Sequence, residues 1–134
     1  MKVPPAAQDV TVYFKLVDPA TGVPETGLTL ANLTMSYTRD RAAAAGITAA
    51  TELAAVTTAH TDYYMKQIDA TNQPGFYRAD FADAAFAAGV ARVQLAINGA
   101  AIDPAYMEVE IDATLDTNSY AVFAANSINA ATIA

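Results

Sequence analysis

His60 is the only histidine in the chain, so a Ser-His-Asp relay or an imidazole-held metal would have to be built on this one ring. No Gly-x-Ser-x-Gly segment accompanies it, and it sits between Ala59 and Thr61 in a polar stretch. The expectation is a solvated or locally hydrogen-bonded histidine, not a general base. Glu108, Glu110 and Asp112 alternate, so on a strand they share one face, where three carboxylates could hold calcium. Parallel side chains on a strand converge poorly, however, and the tight glycine turn of a calcium loop is missing. A solvated outer face that discourages stray edge pairing is the reading for this trio. Asp80 and Asp83 flank Phe81 and Ala82 close to Arg78, a paired-carboxylate pattern that reads more simply as an Arg78 ion pair and a helix-start residue at Asp83. Zero cysteines remove disulfides, thiol nucleophiles and cysteine zinc sites together. There is no glycine-rich phosphate loop, dinucleotide fingerprint or metalloprotease motif. Asn32-Leu33-Thr34 matches the glycosylation sequon and is read as a chance match. No catalytic residue, cofactor or metal follows from these residues, and the chain is not read as an enzyme.

What remains is surface. Tyr63, Tyr64, Phe76 and Tyr77 concentrate aromatic area in one region, and alternation along strands would bury about half of it. The buried half is core; the exposed half would be a contact patch for a partner or a glycan, with Tyr63, Tyr64 and Tyr77 as its candidates. The formal charge of −7, from 14 acidic and 7 basic residues, repels a phosphate backbone unless the cations cluster. They are scattered, only Arg39 and Arg41 being close, so nucleic acid is not an expected partner. Apolar residues make up 54% and charged ones 16%, so many small apolar side chains must lie at surfaces or interfaces. A homo-oligomer, such as a trimer, is the natural expectation.

The elements that would position these residues are mostly strands. Val10, Val12, Phe14 and Leu16 alternate with Thr11, Tyr13, Lys15 and Val17, and Leu33, Met35 and Tyr37 with Thr34, Ser36 and Thr38. Between them Asp18 to Gly27 carries two prolines and two glycines, which predicts an ordered loop. Thr48 to Val56 offers an N-cap and good helix formers, predicting one short helix. Tyr63–Asp69 and Phe76–Phe81 flank a turn at Ala70–Gly75, and Ala82–Ala88 predicts a helical turn stopped by Gly89. Val93, Leu95 and Ile97, then Met107, Val109 and Ile111, give the last two strands around Asn98-Gly99. At least six short strands with little helix point to a mainly β, antiparallel, immunoglobulin-like sandwich with one or two short helices and a C-terminal arm.

The sequence divides into an N-terminal extension over 1–8, a sandwich over 9–112 and an Ala/Asn-rich arm over 113–134. Pro4-Pro5 stands where a signal peptide would place its apolar run, and no stretch approaches the ~20 uninterrupted apolar residues of a membrane span. A soluble protein made in the cytoplasm is expected. In the arm, Tyr120, Val122, Phe123, Ile128 and Ile133 hold no clear period, and with no second face to hide them they are candidates for contact with a neighbouring molecule.

Two segments carry a resemblance: Val12-Tyr13-Phe14-Lys15-Leu16-Val17-Asp18-Pro19-Ala20-Thr21-Gly22-Val23-Pro24-Glu25-Thr26-Gly27-Leu28, and Pro74-Gly75-Phe76-Tyr77-Arg78-Ala79-Asp80-Phe81-Ala82-Asp83-Ala84-Ala85-Phe86-Ala87-Ala88-Gly89. They resemble a group of small virion structural proteins of tailed bacteriophages and prophages, over about Val12 to Ile111. Ala82 stands where that group often has proline. The resemblance implies an Ig-like sandwich carried on head or tail particles: a capsid decoration or cement protein binding the major capsid protein, or else a tail or baseplate component or the anchoring domain of a tail fibre. A carbohydrate-binding module is the alternative from a different class. The Ala-rich tail resembles the repeats that follow such domains in fibre-like proteins.

Overall fold

The alternating segments do form strands, and the computed structural model of the chain describes residues 1–115. Nine strands run in chain order as β1 (Lys2–Val3), β2 (Thr11–Lys15), β3 (Thr34–Arg39), β4 (Ala45–Ala49), β5 (Thr51–Glu52), β6 (Tyr64–Asp69), β7 (Gln73–Asp80), β8 (Arg92–Asn98) and β9 (Ala105–Ile111). They make two sheets, one ordered β1-β9-β8-β3-β4 and one ordered β2-β7-β6-β5. Setting β2-β7-β6 against β4-β3-β8-β9 is the B-E-D against C′-C-F-G partition of an immunoglobulin-like sandwich. The pairing is antiparallel except at two short margins, β1 on β9 and β5 on β6, which are parallel.

The core is made by the inward half of each alternation. Val12, Phe14 and Leu16 face Met65, Tyr77 and Ala79 within one sheet, and Leu33, Met35, Val93, Leu95, Ile97 and Val109 come from the other, all buried. Phe81 and Phe86, carried by the crossover between β7 and β8, are fully enclosed. Each such side chain contributes roughly 1.5–3 kcal/mol on burial. The segment before Asp9 is part of the sandwich: Lys2 and Val3 pair with Glu110 and Ile111, and Val3 and Ala7 are buried.

The helix expected over Thr48–Val56 is absent; that stretch is β4, β5 and a turn. Its backbone is claimed by both sheets, with the Ala50 N–H donating to the Leu33 carbonyl at 2.9 Å, Thr51 N–H to Tyr63 at 3.0 Å and Leu53 N–H to Met65 at 2.9 Å. A helix this short is marginal in water, and alanine's advantage of a few tenths of a kcal/mol per residue does not outweigh burial of Ala50 in the core between the layers and of Leu53 beside β6. The chain between Ala45 and Glu52 thus stitches one sheet to the other. Ala45 and Gly46 belong to β4. There the register shifts between Met35↔Thr48 and Tyr37↔Ala45, so Ser36 faces both Gly46 and Ile47 in a bulge. A Cβ on Gly46 would lie 2.4 Å from the Tyr37 ring and 2.5 Å from the Tyr63 hydroxyl, so glycine lets the two rings close under the bulge.

The second expected helical turn is a single 3-10 turn, Asp83–Phe86. Asp83 does not cap it; its carboxylate accepts the Asp9 N–H at 2.9 Å. The turn's carbonyls are instead taken up by Arg39 from β3, which donates to Ala85 at 3.1 Å and Ala88 at 3.0 Å. A planar guanidinium with five donors suits such a fan of carbonyls.

Candidate functional site

The two motif segments meet in space. Asp18 closes the first turn of its loop by accepting the Ala20 and Thr21 N–H groups, both at 2.8 Å, and Asp18 N–H returns to the Val23 carbonyl at 2.8 Å. These contacts hold its carboxyl below the usual carboxylate range, the Thr21 amide being the largest cause. From the other segment Gly75, at φ 78°, offers its carbonyl to the Leu16 N–H at 2.8 Å. A Cβ there would stand 2.8 Å from the Leu16 carbonyl oxygen and 2.8 Å from Pro24, so only glycine lets β7 pass so close to the loop. Two residues on, the Tyr77 hydroxyl donates to the Glu25 carbonyl at 3.1 Å. The Gln67 side-chain oxygen accepts Gly27 N–H at 2.7 Å and lies 3.0 Å from the same hydroxyl. Burial is the main cause that pushes the Tyr77 pKa up.

Tyr77 is therefore a core residue and not part of an exposed contact patch, because its register opposite Phe14 turns it inward. Tyr63 and Tyr64 are half-buried; Tyr63 takes φ 66°, and burial, with Tyr37 nearby, raises its pKa. The aromatic area left open is Tyr13, 46% exposed, stacked on Phe76 at 5.3 Å between ring centroids with planes 5° apart. Lys15, Gln73 and Pro74 border a shallow dent beside Phe76. Tyr13 and Phe76 lie on the outward half of their strands, a placement readable in the alternation of β2 once its inward face is known. Tyr106 and Ile47, 63% and 68% exposed, stand on the outer face of the other sheet. Tyr120, Val122, Phe123, Ile128 and Ile133 lie outside the described residues.

The charged candidates resolve into structural roles. Arg78 and Asp80 form a buried pair on the outward face of β7, and the turn after β5 closes over them: the Arg78 guanidinium donates to the Val56 and Thr58 carbonyls at 2.9 and 2.7 Å. Asp80 accepts from Thr11 Oγ1 at 2.8 Å and from the Thr61 N–H at 3.0 Å. Sequence reasoning found the pair but not its cover.

His60 is not solvated. Its side chain is 7% exposed, with Nε2 3.1 Å from the Val10 carbonyl oxygen and Nδ1 3.4 Å from Asp9 Oδ1 and 3.7 Å from Asp62 Oδ1. A carbonyl oxygen only accepts, so Nε2 carries the proton toward Val10. The hydrogen bond is long-range, tying the loop before β6 to the residue that leads into β2, 50 residues earlier. Glu108, Glu110 and Asp112 each stand within ion-pair distance of a cation: Arg92 at 3.7 Å from Glu108, and Lys2 at 3.8 Å from both Glu110 and Asp112. Among the described residues no three acidic or histidine side chains converge as a metal site would require. No helix there is long and apolar enough to cross a membrane.

No family model matches the sequence, and neither the curated proteins nor the solved structures contain a match to it.

Proposed function

We propose that this chain is a non-enzymatic virion structural protein of a tailed bacteriophage, a capsid decoration protein made in the host cytoplasm that binds the major capsid protein of the assembled head. The observation that carries this reading is the contact between the two motif segments: Gly75 lies against Leu16 and Pro24, and Tyr77 holds Glu25. The residues on which the resemblance to phage virion proteins rests form one interlocked unit, which supports reading them together as one architectural feature. Their polar groups are engaged in holding loops, which supports a rigid scaffold working through its surface. A repeating shell supplies avidity, so that each docking contact can be modest.

The test is the copy number of this chain in purified particles, by quantitative mass spectrometry, together with its rebinding to particles stripped of it. Hundreds of copies per particle and saturable rebinding are expected. A handful of copies places it in the tail or baseplate or at a fibre anchor, and absence from particles removes the reading. The open Tyr13–Phe76 stack beside Lys15 favours carbohydrate binding as a second reading, since a sugar ring stacks on such a face; glycan-array binding abolished by Tyr13→Ala would support it.

A further inference from the structure

We infer that Asn98-Gly99, where β8 turns toward β9, is a site of covalent modification, at which the Asn98 side chain loses ammonia through a cyclic imide and the turn is loosened. Asn98 is the last residue of β8, is exposed, and pairs with Thr34 of β3. Among the described residues its side chain makes one hydrogen bond: Oδ1 accepts the Gly99 N–H at 2.9 Å. That contact draws electrons away from Cγ and holds the Gly99 nitrogen beside it. The torsion about Cβ–Cγ is broad for asparagine, so the amide can turn its carbon toward that nitrogen. Glycine completes the arrangement, since no Cβ on the attacking residue hinders the approach.

The Gly99 nitrogen gives up its proton and bonds to Asn98 Cγ, closing the imide ring. The Cγ–Nδ2 bond breaks, and the departing group leaves with that proton as ammonia. Water then adds to either ring carbonyl. Opening at Cγ leaves aspartate at position 98, whereas opening at the Asn98 backbone carbonyl leaves isoaspartate, whose main chain runs through Cβ and Cγ. Water is the co-reactant, and nothing is oxidised or reduced.

The other asparagines of the described residues lack this arrangement. Asn72 precedes Gln73, and its Nδ2 donates to Asp69 Oδ2 at 2.9 Å; Asn32 precedes Leu33, whose side chain is buried. Nor has Gly99 room for the longer chain of an isoaspartate before it. A Cβ there would already lie 2.8 Å from Leu33 Cδ2 and 2.9 Å from the Asn32 carbonyl oxygen, and the Gly99 carbonyl accepts the Ile102 N–H at 3.3 Å to close the turn. Either product also puts a carboxylate where a neutral amide stood. Nothing in this chemistry depends on particle binding.

The full chain, stored folded in mildly alkaline buffer, is sampled over time by peptide mapping, with electron-transfer fragmentation to tell isoaspartate from aspartate. Asn98 is expected to lose its amide ahead of Asn32 and Asn72, with isoaspartate among the products. The converted chain, separated by its added charge, is expected to melt below the fresh one. Asn98→Gln, whose longer side chain closes no such ring, should keep its mass at that position and its melting temperature through storage; its fresh melt reports whether the turn is intact. An Asn98 that keeps its amide in the folded chain, while the same chain in urea loses it, means that the fold protects the turn and overturns the proposal. So does earlier loss at Asn32 or Asn72. A converted chain that melts like the fresh one overturns the loosening.

Discussion

Arg78 and Asp80 stand two residues apart on β7, so both side chains leave the same face of the strand, and the guanidinium grips the carboxylate through Nε at 2.9 Å and Nη2 at 2.8 Å. Neither is open to water, since the Val56–Thr61 turn lies over them. The pair is as much a clamp on that turn as an interaction within the strand.

Removing one partner should therefore cost more than a surface ion pair. Asp80→Ala is expected to destabilise the domain by about 3–5 kcal/mol, because Arg78 is left charged, buried and without its counter-ion. Arg78→Met with Asp80→Leu should lose less than Asp80→Ala alone. Urea unfolding of the three variants checks this, and a double variant no better than the single one would mean that the Val56 and Thr58 contacts dominate.

Gly75→Ala is expected to lose clearly more than the ~1 kcal/mol of a left-handed alanine, since the new methyl meets the Leu16 carbonyl and Pro24 at 2.8 Å. Gly89, at φ 115° with only Arg39 near at 3.9 Å, should show the conformational cost by itself. Equal denaturation midpoints for the two variants would contradict the close approach of β7 to the loop.

Tyr77→Phe keeps the buried ring and deletes the hydroxyl that holds Glu25, Gln67 and the Leu28 N–H. A loss of about 1–3 kcal/mol is expected, as partly buried groups are left unpaired. Faster amide exchange confined to Glu25–Leu28 would locate it.

Acid should weaken the fold through the turn carboxylates. Asp18, Asp69 and Asp112 all titrate below the ordinary 3.8, lowered chiefly by the Thr21 amide, the Asn72 amide and the Thr114 hydroxyl respectively. A depressed folded-state pKa contributes stability that is present above the unfolded value and lost as the pH falls through the folded one. Stability should hold above about pH 4 and decline below it, and Asp69→Asn should flatten that decline in acid melts.

The period-two runs determined by themselves that Val12, Phe14 and Leu16, or Val93, Leu95 and Ile97, form strands with one apolar face, and hence that two sheets must cover each other; that pattern is local and survives any change of partner. Gly75 and the Asp18–Gly27 loop were likewise legible as special backbone. Only the tertiary structure decided which way Phe76 and Tyr77 face, because alternation defines two sides and the register with β2 chooses the inner one. It also made strand of Thr48–Glu52, where local propensity favours helix, since the Leu33, Tyr63 and Met65 carbonyls that claim the amides of Ala50, Thr51 and Leu53 come from separate segments of the chain. The burial of His60 and of Arg78–Asp80 was hidden for the same reason: a side chain's water is removed by whatever segment folds over it, here a turn about 20 residues earlier in the chain than Arg78, and no local pattern records that neighbour.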